Sequence, residues 1–366
     1  CEQRGERTMS YIIAIGAYLF LLMIYGLVIA HKKVKTADDM VTGGHRIPFI
    51  ILVGSLLATW CGGGGITGNA SIIYNGGPWV GAITFAAPPI GIILLYFIAG
   101  KVRKSNKVTV PEIMGARYGQ SASIISAVCV MLAYVGVLAT QLKAAADILV
   151  LLCSSSGVEI SRGLALVICT TIIVVITVGG GLVSVAYSDA ISALIMIGGF
   201  FIAIPILISV ANAQGAVLPP EKTTLTGGMS GWELLGYFLP SLALMLGDQN
   251  MLQRFASAKN STEAKKSNIG MFIGEILVIV SIIAVVTQAA RLYPTLDTPS
   301  NVIFQVSVDY LPMAFGALIM CACMAFIVTT ADSYLLSSAT NLTNDIYVKY
   351  IRKDCLLYTS DAADDM

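Results

Sequence analysis

Apolar residues recur along this chain in long runs separated by short polar interruptions, beginning with Tyr11 to Ala30. A hydrocarbon core about 30 Å thick needs roughly 20 apolar residues per helical crossing. On that measure the pattern predicts nine spans, at residues 11–30, 49–74, 79–100, 122–153, 163–178, 189–211, 232–253, 270–290 and 312–340. Strands of a membrane barrel would alternate apolar and polar residues, and these runs do not. A lipid-embedded backbone must satisfy its polar groups internally, which leaves helices. The expectation is an all-α, polytopic transmembrane helical bundle. Pro88-Pro89 interrupts the third span.

Composition agrees with a lipid-embedded chain. Hydrophobic residues make up 56% and charged residues 12%, against about 25% charged in a soluble domain. So little charge could not cover a water-facing surface. A net charge of +1 offers no basic face for nucleic acid. With two histidines and eight cysteines lacking paired metal spacing, a zinc-type site is not expected, and the thiols read as buried.

Lysine and arginine collect on the cytoplasmic side of membrane helices. With the N-terminus outside, sixteen of them fall inside, five outside, and Lys143 within a span. The inner groups are Lys32 to Arg46, Lys101 to Arg117, Arg254 to Lys266 and Lys349 to Lys353. The first span carries Tyr18 and Tyr25 and no small-residue cleavage site, so it is expected to be retained. Residues 1–8 read as a non-native leader. Residues 355–366 lose all hydrophobic pattern and read as an artefactual tail. Residues 9–354 then form the membrane domain, with an odd number of spans that suggests a truncated gene.

Four segments carry candidate chemistry. In Ala58-Thr-Trp-Cys-Gly-Gly-Gly-Gly-Ile-Thr-Gly68, each glycine costs a helix about 1 kcal/mol relative to alanine. Gly62 to Gly65 should unwind the backbone, which membranes tolerate only where the freed groups face protein or a watery cavity. Broken helices near mid-membrane are where transporters place substrate and coupling ions; close packing of small residues is the plainer alternative. Thr329-Thr330-Ala-Asp332-Ser333 puts paired hydroxyls after an apolar run. They either cap their own helix carbonyls or turn to a neighbouring helix and offer oxygen to a hard cation. Asp332, an intramembrane acid, costs about 2.5 to 3.5 kcal/mol to insert and is a functional candidate by default. Gly179-Gly-Gly-Leu-Val-Ser-Val-Ala-Tyr187-Ser-Asp189 reads as a tight turn. There Ser188 or Asp189 caps the sixth helix, or Asp189 lines a cation path. Asp248-Gln-Asn250 ends the seventh span, where its polar groups bind solute or reach the inner surface. Lys143 and Asp147, spaced i, i+4, are expected to pair.

Three of these motifs together resemble the sodium:solute symporter family: Gly180-Gly-Leu-x-Ser-Val-x-Tyr-Ser-Asp189; Asp248-Gln-x-x-x-Gln253-Arg254 with Ala258-Lys259; and Val328-Thr-Thr-Ala-Asp-Ser-Tyr-Leu. The resemblance runs from about Met9 to Lys353. It implies an inverted five-helix repeat of the amino acid–polyamine–cation type preceded by an extra N-terminal helix. Spans two to six would form the first repeat and spans seven to nine the start of the second. It further implies sodium as coupling ion, held by carbonyls of Ala58, Cys61 and Phe326 and hydroxyls of Thr329 and Thr330. Asp189 would lie on the inner ion path, with Asp332 nearby. The Ala58-Thr-Trp60 segment is similar to the high-affinity choline transporter group, whose aromatic cage holds a quaternary ammonium by cation–π contact. Trp60 and Tyr134 match two walls, but Asp248 stands where that group has tryptophan. Gln141 and Asn250 complete the expected solute site.

The function expected is sodium-coupled secondary active symport of a small organic solute, a cationic one included, by alternating access. The alternative is a membrane-embedded sensor whose output domain lies beyond this chain. No HExxH or Ser-Lys arrangement suggests an enzyme. A bacterial inner membrane with the N-terminus outside is the expected setting, surrounding lipid the only expected companion, and no obligatory protein partner is inferred.

Overall fold

The computed structural model describes residues 2–35, 39, 42–105, 107 and 109–351. Among them there is no β-strand; one isolated bridge joins Ile47 to Ala258. Helix α1 (Glu2–Lys33) ends on His31, Lys32 and Lys33, cations that suit the negative end of its dipole. Then come α2 (Phe49–Trp60), a π-helical turn at Gly64–Gly68, and α3 (Asn69–Gly76). Next are α4 (Pro78–Thr84), α5 (Ala87–Ser105) and α6 (Val110–Tyr118), the last opened by a capping box of Thr109 and Glu112. The long helices α7 (Gln120–Ser155) and α8 (Arg162–Ala213) follow. The remainder comprises α9 (Gly231–Gly247), α10 (Gln249–Ala256), α11 (Ser261–Leu292), α12 (Val302–Asp309) and α13 (Met313–Thr340), and a π-helical end at Asn341–Ile351.

Six described helices are long and apolar enough to cross a membrane: Met9–Lys33, Pro78–Ser105, Gln120–Ser154, Gly181–Ala213, Ser261–Leu292 and Met313–Tyr347. A seventh is a pair, Phe49–Trp60 and Gly64–Gly76, bent by 58° at its break. Arg162–Thr177 is a shorter apolar helix. The expected span at 232–253 differs in form. It stops at Gly247, where Asp248 leaves the helical conformation and accepts the N–H of Asn250 to start α10. The expected separation of 163–178 from 189–211 also differs. The chain runs helical through α8, broken only at Gly181, whose φ of 60° and ψ of −178° suit glycine. Asp189 therefore lies eight residues inside the second half, rather than capping it. Residue 1 and residues 352–366, with the whole of the expected tail, lie outside the described residues.

Helix α13 is the hub. Every residue from Ile319 to Tyr334 is buried, and α13 packs on α8, α7, α1 and α2, while α2 also lies along α8 and α11. A helix apolar all round belongs in the middle of a bundle. The outer helices instead expose large apolar side chains such as Leu132, Phe97 and Leu194, the surface that lipid covers. Small residues let helices approach: at Gly54 the backbone meets Ala190 closely, and Gly274 meets Leu57.

Candidate functional site

The site begins where α2 fails. After Trp60, Cys61 closes the last turn by donating its N–H to Leu57 O, and the chain swings through Gly62 and Gly63 before re-entering helix. Ile66 N–H reaches Gly62 O at 2.9 Å, and Gly63 N–H donates to Gln141 Oε1 on α7. The broken end leaves the carbonyl of Ala58 available, and the hydroxyl of Thr330 on α13 donates to it at 2.9 Å. A side chain at Gly62 would meet Thr330 Oγ1 and Cγ2 at 2.6 Å and Gln141 Oε1 at 2.8 Å. Glycine is thus required there for close approach. Phe326, one turn before Thr330, is fully buried. The Thr329 hydroxyl is buried beside the Asp189 carboxylate without a well-formed hydrogen bond to it. The structure therefore joins Ala58 on α2 to Thr330 on α13, while the Cys61 thiol turns to Glu275 on α11 and the Thr329 hydroxyl lies beside Asp189 on α8. A freed helix-end carbonyl met by one hydroxyl, with a second buried hydroxyl next along the helix, offers the oxygen ligands that a hard cation takes.

Beneath this junction lies a charged network. Asp189 is fully buried and accepts from Ser55 Oγ at 2.7 Å and from Arg254 Nη2 at 3.4 Å. Arg254 is equally buried and also donates to Ser55 Oγ, Ser333 Oγ and Asn250 O. Asp189 Oδ1 lies beside the Thr329 hydroxyl without a well-formed hydrogen bond. Arg254 thus departs from the inner-loop role assigned to it by its place in the charge pattern. It sits at the end of a short helix held against α2 by these contacts, and its charge is balanced internally. Asp332 faces away from this network. It accepts from Thr177 Oγ1 on α8, and with Thr329, Ser184 and Ser188 it lines a small cavity of about 20 Å³ against α1.

A larger cavity, about 440 Å³, opens beside the glycine break. Trp60 and Gln141 line it, with Thr59, Asn69, Thr330 and Tyr334. Its size suits a small organic molecule, and no charged side chain is among its lining residues. Tyr134, Asp248 and Asn250 are not among them either. Asp248 accepts from Tyr134 OH at 2.6 Å and Tyr334 OH at 2.7 Å while capping α10. The two tyrosine rings meet edge to face, with centroids 4.6 Å apart. Asn250 accepts from Ser337 Oγ, and its Nδ2 is left unpartnered. These three residues form the support under the Tyr334 wall. Lys143 and Asp147 do not pair: Asp147 instead receives Arg162 Nη2 at 2.8 Å from the start of α8, because α8 brings a guanidinium to the carboxylate's own helix end.

Several residues escaped the pattern reading. Tyr334 and Ser333 follow Thr330 and Thr329 by one helical turn, so i, i+4 spacing along the quoted motif could have found both. Glu275, alone in the apolar run of α11, accepts from Cys61 Sγ at 3.5 Å and is buried. An acid within a span is itself the signal. Thr177 and Ser55 left none, since single hydroxyls in apolar helices are commonplace.

A model of the sodium:solute symporter family matches residues 40–356. The high-affinity choline transporter 1 of Drosophila melanogaster is 24% identical over 93% of this chain and 57% of its own length. The human high affinity choline transporter 1 is 23% identical over 94% of this chain and 63% of its length. The sodium/sialic acid symporter NanT of Aliivibrio fischeri is 25% identical over 95% and 72%. The chain thus spans about six-tenths of the choline transporters it matches. In structure it resembles a Na+-coupled sialic acid symporter in a substrate-bound, outward-open state, with a TM-score of 0.76, 18% identity, and coverage of 93% of this chain and 74% of that one. The two share a fold.

Proposed function

The chain belongs to the sodium:solute symporter family, and we propose that it carries a small organic solute across a membrane together with sodium. One observation supports this reading: where α2 is broken the Thr330 hydroxyl meets the Ala58 carbonyl, and the adjacent Thr329 hydroxyl is buried beside Asp189 without a well-formed hydrogen bond. Sodium at that junction would take up oxygens of both helices and tie α2 to α13. Rotation of the Thr330 hydroxyl would turn its lone pairs from Ala58 toward the ion, with the carbonyls of Cys61 and Phe326 completing the shell. Asp189 and Asp332 line the inner route, and Arg254 holds Asp189 in place.

The solute occupies the cavity against Trp60, Gln141 and Tyr334. Because no charge lines it, and because Asp248 is committed to two tyrosines, recognition rests on aromatic faces and neutral hydrogen-bonding groups. This favours an uncharged solute or a soft cation such as a quaternary ammonium held by cation–π contact. Tyr134, Asp248 and Asn250 act by positioning Tyr334. Sodium moving through a potential of ~100 mV contributes roughly 2.3 kcal/mol per charge, enough for about fifty-fold accumulation. No catalytic group is required. The bias of basic residues supports an external N-terminus. In a bacterium, a helical bundle would place the chain in the inner membrane, since outer-membrane spans are barrels.

Uptake into proteoliposomes, screened with amines, amino acids, sugars and carboxylates with and without a sodium gradient, tests the reading. Sodium-dependent uptake of one solute class, weakened in Thr329→Ala, is expected. Uptake indifferent to sodium for every solute, with Thr329→Ala unchanged, would overturn it.

A further inference from the structure

At the basic end of α1 the chain builds a second cavity that the transport reading does not use. Lys32 and Lys33 close the helix, Lys35 follows, and Arg46 returns to them across the turn at Gly43–His45. Together they line a space of about 450 Å³. Asp39 is the one acid on its wall, and it already accepts the backbone N–H of Lys35 at 3.0 Å. Four cations therefore face one carboxylate. Lys33 is fixed by a hydrogen bond to the Tyr187 hydroxyl and sits 4.1 Å from the centroid of that ring. Ile47 and Val183 make the remaining wall apolar.

Basic residues at a helix C-terminus complement its dipole, which accounts for Lys32 and Lys33. It does not account for Arg46, which arrives from another segment, nor for a cavity. The depth is informative. The span Met9–Lys33 has 25 residues, about 37 Å of helix at 1.5 Å per residue. That exceeds a hydrocarbon core of about 30 Å, so the mouth of the cavity falls in the headgroup layer. There a phosphate carried by a lipid is present at high local concentration, and basic pockets between membrane helices suit anionic headgroups. The apolar wall would accept the glycerol and the start of an acyl chain, which a free phosphate ion lacks.

We propose that the cavity bounded by Lys32, Lys33, Lys35 and Arg46 binds the phosphate of an anionic phospholipid. The site is independent of the sodium junction and of solute identity. The chain, purified in detergent, is exposed to phosphatidylglycerol or phosphatidylcholine of matched acyl chains, and retained lipid is read by native mass spectrometry. Phosphatidylglycerol is expected to be retained at least about tenfold over phosphatidylcholine. Lys32→Gln, Lys35→Gln and Arg46→Gln combined should abolish that preference and bring retention of the two lipids to parity. Lys101→Gln, Lys104→Gln and Lys107→Gln, the same loss of charge elsewhere, should leave it intact. The ratio measured on the unaltered chain decides the matter even if the triple variant misfolds. Equal retention of both lipids, or an equal loss in both triple variants, overturns the proposal. Displacement of phosphatidylglycerol by millimolar inorganic phosphate would transfer the site to the free ion and overturn the lipid assignment.

Discussion

Two of the helix breaks inside the bundle, one ending α2 and one between α9 and α10, arise from different chemistry. In the first, α2 ends at Trp60 because Gly62 to Gly65 give the backbone no reason to stay helical; the pieces lie at 58° to one another. In the second, α9 gives way to α10 at Asp248, whose carboxylate caps the new helix and accepts two tyrosine hydroxyls. The glycine break frees backbone oxygens that are met by single neutral donors, Thr330 at Ala58 O, Ile66 N–H at Gly62 O and Thr67 at Gly63 O, contacts that can be exchanged for an ion. The carboxylate break supplies its own acceptor and fills it at once with three donors. On the function proposed, the first break is the one a ligand uses, whereas the second is closed and braces the wall beside it.

Asp248→Ala should show the largest effect. It leaves the Tyr134 and Tyr334 hydroxyls buried without an acceptor and α10 without its cap, a loss of about 4 kcal/mol, read as lower thermal stability. If Asp248 were an open solute ligand instead, stability would hardly change. Gly62→Ala comes next. Its methyl would press on Thr330 and Gln141, an overpacking cost of about 2 kcal/mol, or roughly thirtyfold in apparent sodium affinity. Gly68→Ala has nothing within 4 Å of the new methyl and should leave sodium affinity unchanged.

Thr329→Ala separates the two breaks most sharply. Since its hydroxyl makes no well-formed hydrogen bond, stability should change little, while sodium affinity falls about tenfold, or ~1.4 kcal/mol. Sodium-dependent quenching of Trp60 fluorescence would report it; a drop in melting temperature with unaltered sodium response would contradict the open-break reading. Tyr134→Phe should have the smallest measurable effect, about 1 kcal/mol of stability for one lost hydrogen bond, with sodium affinity preserved.

The local physics of both breaks could be read along the chain. Four adjacent glycines are poor helix formers in any context, and the apolar runs announce membrane spans by length alone. The capping role of Asp248 was less visible. Within an apolar run, a carboxylate followed by glutamine and asparagine reads equally well as a solute ligand or as a span reaching the surface. What tells them apart is the pair of tyrosines, one from α7 and one from α13. Arg254 shows the same limit: counted along the chain it is a loop cation, whereas in space it is buried against Asp189 with no water to reach. Asp147 had a suitable lysine one turn away, yet the arginine at the start of α8 won it.

Sequence by itself determined that this protein lies in a membrane, that its spans are helical, where the backbone of α2 must loosen, and which hydroxyls and acids stand in apolar surroundings. Those are consequences of composition and of residues close along the chain. Only the tertiary structure decided who meets whom. The contact of Ala58 with Thr330 spans 272 positions, and that of Asp189 with Arg254 spans 65. Helical periodicity says which face a residue occupies but not which helix will face it. That choice is made by the packing of whole helices, where small residues permit approach and each buried polar group must find a partner.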